Sequence, residues 1–257
     1  MKKNNKSWIL FLTAILVCGL FTLTGASAAS AAAEAAAASS ETKNGWKTES
    51  GYKYYYINGK KQTGLKTIKK KLYYFDSKGR LTVSRHGIKI GKNYYAINAK
   101  GVATKVTEVE GLAGIRVDKL AGKTTNKNTL LKKAFNWSRE LKYRSVKETK
   151  KNAAAYYGTY GFKNNCGDCY VQAAAFYWMA KSIGFTNMSF VQGTVPSTKG
   201  VNQPHGWVER KVGKKYYFFD PNAAGDKKAK VTYNFLYGTP GSLHYNDSHN
   251  HRVQYTE

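Results

Sequence analysis

An aromatic pair followed by a turn sequence recurs three times in the first half of the chain, and it limits the fold more than any other feature. The copies read YYYINGK at 54–60, YYFDSKG at 73–79 and YYAINAKG at 94–101. The pair returns after 19 residues, from Tyr54 to Tyr73, and then after 21, at Tyr94. A period near 20 with Asn/Asp-Gly-type turns predicts one β-hairpin per repeat. Because one hairpin buries no core alone, we expect a small all-β module of stacked hairpins over 44–106.

These repeats resemble the wall-binding repeats of secreted Gram-positive proteins, of the choline- and glucan-binding type. The matching residues are Gly45-Trp46, Gly51-Tyr52-Lys53-Tyr54-Tyr55 and Lys61-Gln62-Thr63-Gly64. The resemblance implies pockets between hairpins in which aromatic rings hold a sugar face or a quaternary ammonium. The candidate ligand-binding residues are Trp46, Tyr54, Tyr55, Tyr73, Tyr74, Tyr94 and Tyr95.

Only Trp46 occupies the family's Trp position, whereas the later repeats have Leu65, Ile68 and Ile88 nearby. This departure weakens the case for choline as the ligand. For most of the candidate rings, packing inside the small hairpin core is the favoured alternative role.

The charge of the chain predicts anionic partners. It has 42 Lys and Arg against 15 Asp and Glu, a formal net charge of +27. A hydrophobic content of 42% excludes disorder throughout, and only three Cys exclude a disulfide-stapled miniprotein. The excess of positive charge indicates nucleic acid, acidic lipid or an anionic extracellular polymer as partner.

The N-terminus selects among these partners. Residues 1–6 carry three lysines, residues 8–23 form an apolar run, and small residues lead to a predicted cleavage after Ala28. This pattern predicts a signal peptide over 1–28, followed by an Ala-rich linker over 29–43. Its removal leaves a charge of 27 − 3 = +24. We therefore expect a secreted, wall-associated protein that binds a cell-wall glycan or anionic wall polymer, with no nucleic acid partner and no membrane association after cleavage.

Residues 107–257 are expected to form a second domain of helices and strands. Apolar spacing predicts a helix near 130–141, and the polar, Gly- and Tyr-rich stretch 142–165 predicts a loop with room for a short helix. A buried helix should begin at Cys169, with Asp168 as its N-cap and Gly184 at its C-terminal end. A strand at 189–195 and a hairpin at 206–219, turning at Val212-Gly213-Lys214, should follow.

This arrangement places three reactive side chains together. A helix N-terminus stabilises a thiolate, and Cys169 lies at that position. His205 opens the first strand of the predicted hairpin and Asp220 closes the second, so antiparallel pairing brings the two side chains close. A thiol next to a His–Asp pair is the arrangement of an acyl-transfer triad.

The same motifs resemble the transglutaminase-like superfamily. They are Gly167-x-Cys169 with Ile183-Gly184-Phe185 after its helix, His205-x-Trp207-Val208-Glu209, and Phe219-Asp220-Pro221. The resemblance implies an α+β papain-like core in which Cys169 is the nucleophile, His205 the base and acid, and Asp220 the orienting carboxylate. The backbone N–H of Cys169 is the candidate oxyanion donor. No cofactor and no metal are expected.

The predicted function is therefore a thiol acyl-transfer enzyme acting on peptide or glutamine-type amide bonds of a protein or a peptidoglycan peptide. Hydrolysis by a peptidase or amidase is slightly favoured over protein cross-linking. The alternative from another class is a non-enzymatic surface glycan-binding protein whose C-terminal domain is a scaffold. Two further alternatives concern the cysteines: a Cys166–Cys169 disulfide, or a zinc site with two of His244, His249 and His251.

Overall fold

The computed structural model describes residues 42–147, 153–196, 202–223, 232–240 and 254–255. The expected signal peptide, almost all of the Ala-rich linker and the three C-terminal histidines of the zinc alternative lie outside these residues. The described residues from Lys43 onward form one compact unit of mixed α and β structure with several small, mostly antiparallel sheets. Among the described residues, no helix has the length and apolar character needed to cross a bilayer.

The N-terminal repeats form hairpins, as the repeat period predicts. The strands are β1 (Gly45–Glu49), β2 (Tyr52–Ile57), β3 (Lys60–Lys61), β4 (Gly64–Ile68), β5 (Lys71–Phe75), β6 (Arg85–Ile90), β7 (Asn93–Ile97) and β8 (Ala103–Val106). The aromatic pair of each repeat lies on the second strand of a hairpin: β1–β2, β4–β5 or β6–β7. The chain therefore turns before each aromatic pair as well as after it.

The turn after the first aromatic pair shows why this copy of the repeat has Asn-Gly. Asn58 and Gly59 join β2 to β3 with φ angles of 47° and 75°. A two-residue hairpin turn of this kind needs positive φ at both central positions, which Asn and Gly tolerate best.

The third hairpin packs directly on the first helix, α1 (Glu108–Ala121), which begins at a Thr107–Glu110 capping box. A Cβ atom at Gly114 would lie within 3 Å of the backbone of His86, and one at Gly111 would clash with the ring of Tyr94. The missing side chains therefore allow strand and helix backbones to touch. Asp118 of α1 also joins the helix to the third hairpin, because its carboxylate lies 2.7 Å from Nδ1 of His86.

Three more helices follow: α2 (Lys127–Arg139), α3 (Ala153–Asn164) and α4 (Cys169–Ile183). The predicted helices are confirmed at α2 and α4, and α4 has Asp168 as its N-cap and Gly184 in the left-handed region at its end. Within the stretch 142–165, which the sequence predicts as a loop with room for a short helix, α3 is that helix and extends over 12 residues. Its glycine content is typical of a loop. In the structure, however, Gly158 and Gly161 face Trp178 and Val171 of α4 and let the two helices approach closely.

The main sheet lies beyond α4. A parallel pair, β9 (Lys142–Tyr143) and β10 (Cys166–Gly167), precedes it. Its strands are β11 (Met188–Pro196), β12 (Asn202–Val212), β13 (Lys215–Phe219), β14 (Tyr233–Leu236) and β15 (Gln254–Tyr255), in the antiparallel order β14-β13-β12-β11-β15. The predicted strand and hairpin are confirmed, and α4 shares one hydrophobic core with Phe190, Val208 and Phe219 of the sheet.

Candidate active site

Cys169 is the first residue of α4 and is half-buried, while Cys166 on β10 is buried; both are free thiols. The carboxylate of Asp168, the residue before Cys169, accepts hydrogen bonds from two backbone N–H groups. Its Oδ1 accepts from the N–H of Val171 at 3.3 Å and its Oδ2 from the N–H of Val146 at 3.0 Å. Asp168 thus caps α4 and fixes the segment that follows β9. The positive end of the helix dipole is directed at the Cys169 position.

His205 and Asp220 form a buried pair on adjacent strands. His205 lies on β12 and is 5% exposed, and Asp220 directly follows β13 and is fully buried. His205 Nε2 lies 2.9 Å from Asp220 Oδ2. The other carboxylate oxygen, Oδ1, accepts from the N–H of Ala223 at 2.9 Å. Both oxygens are therefore held, and the second ring nitrogen, Nδ1, remains for the thiol.

The environment of His205 favours its charged form. Burial alone, the largest single influence, would lower its pKa, but the charge and hydrogen bond of Asp220 oppose it, and a hydrogen bond with Cys169 adds to them. Together they raise the pKa of His205 to about 10. An imidazolium between a carboxylate and a thiol stabilises the thiolate, which is the nucleophilic form of cysteine.

Neighbouring residues hold these groups in place. The ring of Trp207 stacks beside His205 with centroids 6.2 Å apart, and Trp207 Nε1 donates to the hydroxyl of Tyr237 at 2.5 Å. On the helix side, Asn222 Nδ2 donates to Gln172 Oε1 at 3.0 Å and so connects the segment after Asp220 to α4. The sequence motif contained Trp207, but the Gln172–Asn222 bridge had no signal in the sequence.

Gly206 is a site residue that the sequence reasoning did not single out. A Cβ atom there would lie 2.9 Å from the Cα and 3.1 Å from the backbone nitrogen of Tyr170, in the first turn of α4. Glycine therefore lets β12 lie against the start of the helix, which brings His205 to Cys169. Its place between His205 and Trp207 is the only sequence signal that marks it.

Gly206→Ala is expected to lower the free energy of unfolding by about 1–3 kcal/mol and to lower activity more than this loss explains. The added methyl group must push β12 from α4 and lengthen the His205–Cys169 contact. Urea denaturation and initial rates at a temperature where both proteins are folded measure the two effects. Gly213→Asn, in the open β12–β13 turn at φ 60°, is the control and should change neither by much. Unchanged activity in Gly206→Ala would contradict this role.

Tyr143 is a second residue that the sequence did not reveal. It lies on β9 opposite Gly167 of β10 and is 67% exposed. Partial burial, and then the charges of Cys169 and Asp168, raise the pKa of its phenol, so the hydroxyl lies within electrostatic reach of the thiol. Tyr143 therefore marks the solvent-open side of the site.

In the repeat module the structure brings some of the candidate rings together and buries others. Trp46 contacts Tyr55 and Tyr73, with ring centroids 5.1 and 5.0 Å apart, so the first two repeats share one aromatic cluster. The ammonium of Lys53 lies 4.8 Å from the Trp46 ring. The remaining candidates lie mainly in the hairpin cores: Tyr54, Tyr94 and Tyr95 at 7% exposure each, and Tyr74 half-buried beside Leu65 and Leu72.

Among the residues that the structure describes, no group of three or more His, Cys, Asp or Glu is arranged to hold a metal ion.

Comparison with known proteins supports the repeat resemblance. Residues 63–81, which contain the β4–β5 hairpin, match the family described as "Putative cell wall binding repeat". The choline binding domain of Spr1274 in Streptococcus pneumoniae is 29% identical over 25% of this chain and 77% of that chain, with a TM-score of 0.24. Choline binding protein F from the same organism is 31% identical over 24% of this chain and 21% of its own, with a TM-score of 0.22. The repeat resemblance inferred from the sequence is thus confirmed.

Two further solved structures are similar to part of the chain at lower sequence identity. A "Putative Cysteine Protease" from Cytophaga hutchinsonii is 14% identical over 47% of this chain and 45% of that chain, with a TM-score of 0.35. Legionella pneumophila LapG is 14% identical over 44% of this chain and 63% of its own, with a TM-score of 0.32. The chain thus spans less than two thirds of either relative. No curated protein matches it.

Proposed function

We propose that this chain is a wall-associated thiol peptidase or amidase, with hairpin repeats over 44–106 and a papain-like, transglutaminase-like catalytic domain over 107–257. The proposal depends mainly on the buried His205–Asp220 pair, 2.9 Å apart, whose ring is influenced by Cys169 at a helix N-terminus. Cys169 is the nucleophile, His205 the acid and base, and Asp220 the orienting carboxylate.

The reaction runs through a thioester. The Cys169 thiolate adds to the carbonyl carbon of an amide. The oxyanion that forms accepts a hydrogen bond from the backbone N–H of Cys169. Collapse breaks the C–N bond, and the His205 imidazolium gives its proton to the departing amine. Water then attacks the thioester as neutral His205 removes its proton. The acid product leaves, and the thiolate–imidazolium pair is restored.

Hydrolysis is favoured over cross-linking because the thiol lies on an open side of the fold. Cys169 is only half-buried and its neighbour Tyr143 is largely exposed, so water reaches the thioester without passing through a closed channel. Peptidoglycan stem peptides and cell-surface proteins are the substrates that a wall-bound enzyme of this type meets. A cross-linking enzyme would instead have to exclude water from the same intermediate.

A product analysis tests this function. The full-length protein is incubated under reducing conditions with purified Gram-positive walls or surface proteins and with a fluorescent primary amine. We expect new peptide ends or released carboxylates in stoichiometric excess over incorporated amine, and we expect neither product with Cys169→Ala. An excess of incorporated amine over released ends would show that the reaction is transamidation rather than hydrolysis. If the unsubstituted protein gives neither product, the enzyme proposal fails and only the wall-binding function remains.

The Trp46 cluster is proposed to bind a wall glycan. Trp46→Ala should weaken co-sedimentation of the full-length protein with walls about tenfold, because an aromatic contact of this kind contributes on the order of 1 kcal/mol or more. Tyr52→Ala is the control, since Tyr52 lies on the same hairpin, is 48% exposed, and has its ring 4.8 Å from the guanidinium of Arg80. Binding through rings should survive moderate salt, whereas binding through charge alone should vanish. Equal wall binding by Trp46→Ala and Tyr52→Ala would contradict a binding role for the Trp46 cluster.

A further inference from the structure

Two adjoining cavities lie along the seam between the third hairpin and the helices. The larger, about 490 Å³, lies between β6–β8, α1 and the end of α4, and the smaller, about 340 Å³, lies between β6, the end of α1 and the start of α2. Both are lined by Ser84, Arg85 and His86, so they meet at the start of β6. We call the pair the seam groove. Its length along three elements suits a chain-like ligand better than a compact one.

The seam groove carries positive charge along its length. Arg85 lies where the cavities meet, Lys181 lines the larger one, and Lys123 and Lys127 line the smaller one. Within the described residues, none of these four cations takes part in an ion pair. Lys181 is held at a defined position, because its ammonium lies 4.8 Å from the ring of Trp178, which also lines the larger cavity.

The two carboxylates of the seam groove are already engaged. Asp118 is bound to Nδ1 of His86 at 2.7 Å and accepts the backbone N–H of His86 at 3.2 Å. Glu110 accepts the N–H and the hydroxyl of Thr107 at 2.8 and 2.7 Å in the capping box. Their hydrogen-bonding capacity serves the fold, so the cations that line the groove are not neutralised by these two carboxylates.

We propose that the seam groove binds a segment of a phosphodiester-linked polyol polymer of the cell wall. The forked guanidinium of Arg85 matches two oxygens of a phosphate, and Lys181 and Lys123 meet the neighbouring phosphates as point charges. Val102 and Trp178 line the larger cavity and offer apolar surface to the C–H groups of the polyol units. A polymer with one charge per unit matches cations spread along a groove better than a single anion does.

This site is separate from the Trp46 cluster. The aromatic pair of the third repeat, Tyr94 and Tyr95, is buried, and Tyr94 packs against Gly111 of α1. Within the part of the chain that the structure describes, the third hairpin therefore has no ring cluster equivalent to that of the first two repeats. Its docking on α1 instead creates the seam groove, which does not depend on the proposed catalytic reaction.

Binding of the full-length protein to purified poly(glycerol phosphate) tests the proposal, measured by titration calorimetry over a series of salt concentrations. Arg85→Gln combined with Lys181→Gln should weaken binding at least about tenfold, because each charge-assisted contact is among the stronger hydrogen bonds. It should also reduce the slope of log K against log salt concentration by about one to two. The charge-matched control, Lys214→Gln with Lys215→Gln in the exposed β12–β13 turn, should bind within about threefold of the parent.

Equal weakening by the two double variants would overturn the proposal, because net charge alone would then explain binding. Equal affinity for polyglutamate, a carboxylate polymer, would overturn the choice of phosphate. A measurement on the unsubstituted protein covers the case in which the groove variant fails to fold. Bound poly(glycerol phosphate) should protect Arg85 from phenylglyoxal and Lys181 from acetylation, but not Lys214. Uniform labelling with and without the polymer would contradict the site.

Discussion

Cys169→Ala is expected to lower hydrolysis at least about 10⁴-fold, whereas Cys166→Ala should stay within about tenfold of the parent enzyme. The two thiols are three positions apart and make a matched pair of substitutions. Cys169 starts α4 and contributes to raising the pKa of His205, whereas Cys166 is buried on β10. Loss of the nucleophile removes the thioester route, while loss of a small buried side chain changes packing only.

Initial rates of peptide release, with circular dichroism to correct for the fraction of folded protein, measure this difference. Cys169→Ser is a useful third variant, because a hydroxyl in the same position keeps the geometry and lacks a thiolate. It should be nearly as inactive as Cys169→Ala. Comparable losses in the Cys166 and Cys169 variants would show that the cysteines act together, as in a disulfide or metal site, and would contradict a single nucleophile.

Asp220→Asn is expected to lower kcat/KM at neutral pH by about 10² to 10⁴-fold and to move the alkaline limb of the pH profile downward. The pKa of His205 is raised from 6.5 to about 10, and Asp220 supplies the largest raising influences. The imidazolium is therefore present at neutral pH, and activity should fall only as pH rises through about 10. Without the carboxylate charge, burial lowers the pKa, and the limb should shift downward by more than one pH unit.

The raised pKa of His205 also makes the stability of the fold fall as pH rises. Because the pKa of His205 is raised on folding, the charged pair stabilises the fold fully below pH 6.5, and this contribution is lost as pH rises through about 10. Urea denaturation should therefore show a decline in stability from neutral to alkaline pH that Asp220→Asn reduces. Asp118→Asn is the matched control, since it removes the carboxylate of the other His–Asp pair, at His86 on the seam. An alkaline limb that moves equally in both variants would contradict the role of Asp220.

Much of the site could be predicted from local sequence signals. The Asp168 N-cap and Gly184 fixed both ends of α4, and the Gly213 turn fixed the register that brings the ends of β12 and β13 together. Antiparallel pairing then required His205 and Asp220 to be neighbours. Each inference depended on short-range chemistry, which a single sequence displays.

The features that were missed depend on contacts between distant segments. Helix α1 contains Gly111 and Gly114, which lower helix propensity and make sense only against β6 and β7. Helix α3 has a loop-like composition because its small residues face α4. Gly206 and Tyr143 owe their places in the site to the approach of β12 and β9 to the same helix end. No local pattern encodes these approaches.

The reactivity of Cys169 toward iodoacetamide tests the central claim most directly, because it requires no known substrate. Reduced, full-length protein is alkylated at neutral pH, and the labelled peptide is quantified by mass spectrometry over time. In the intact protein Cys169 should react much faster than a free cysteine, and His205→Ala should slow it at least about tenfold, since the imidazolium that stabilises the thiolate is lost. Equal alkylation rates in the intact protein and in His205→Ala would contradict the triad.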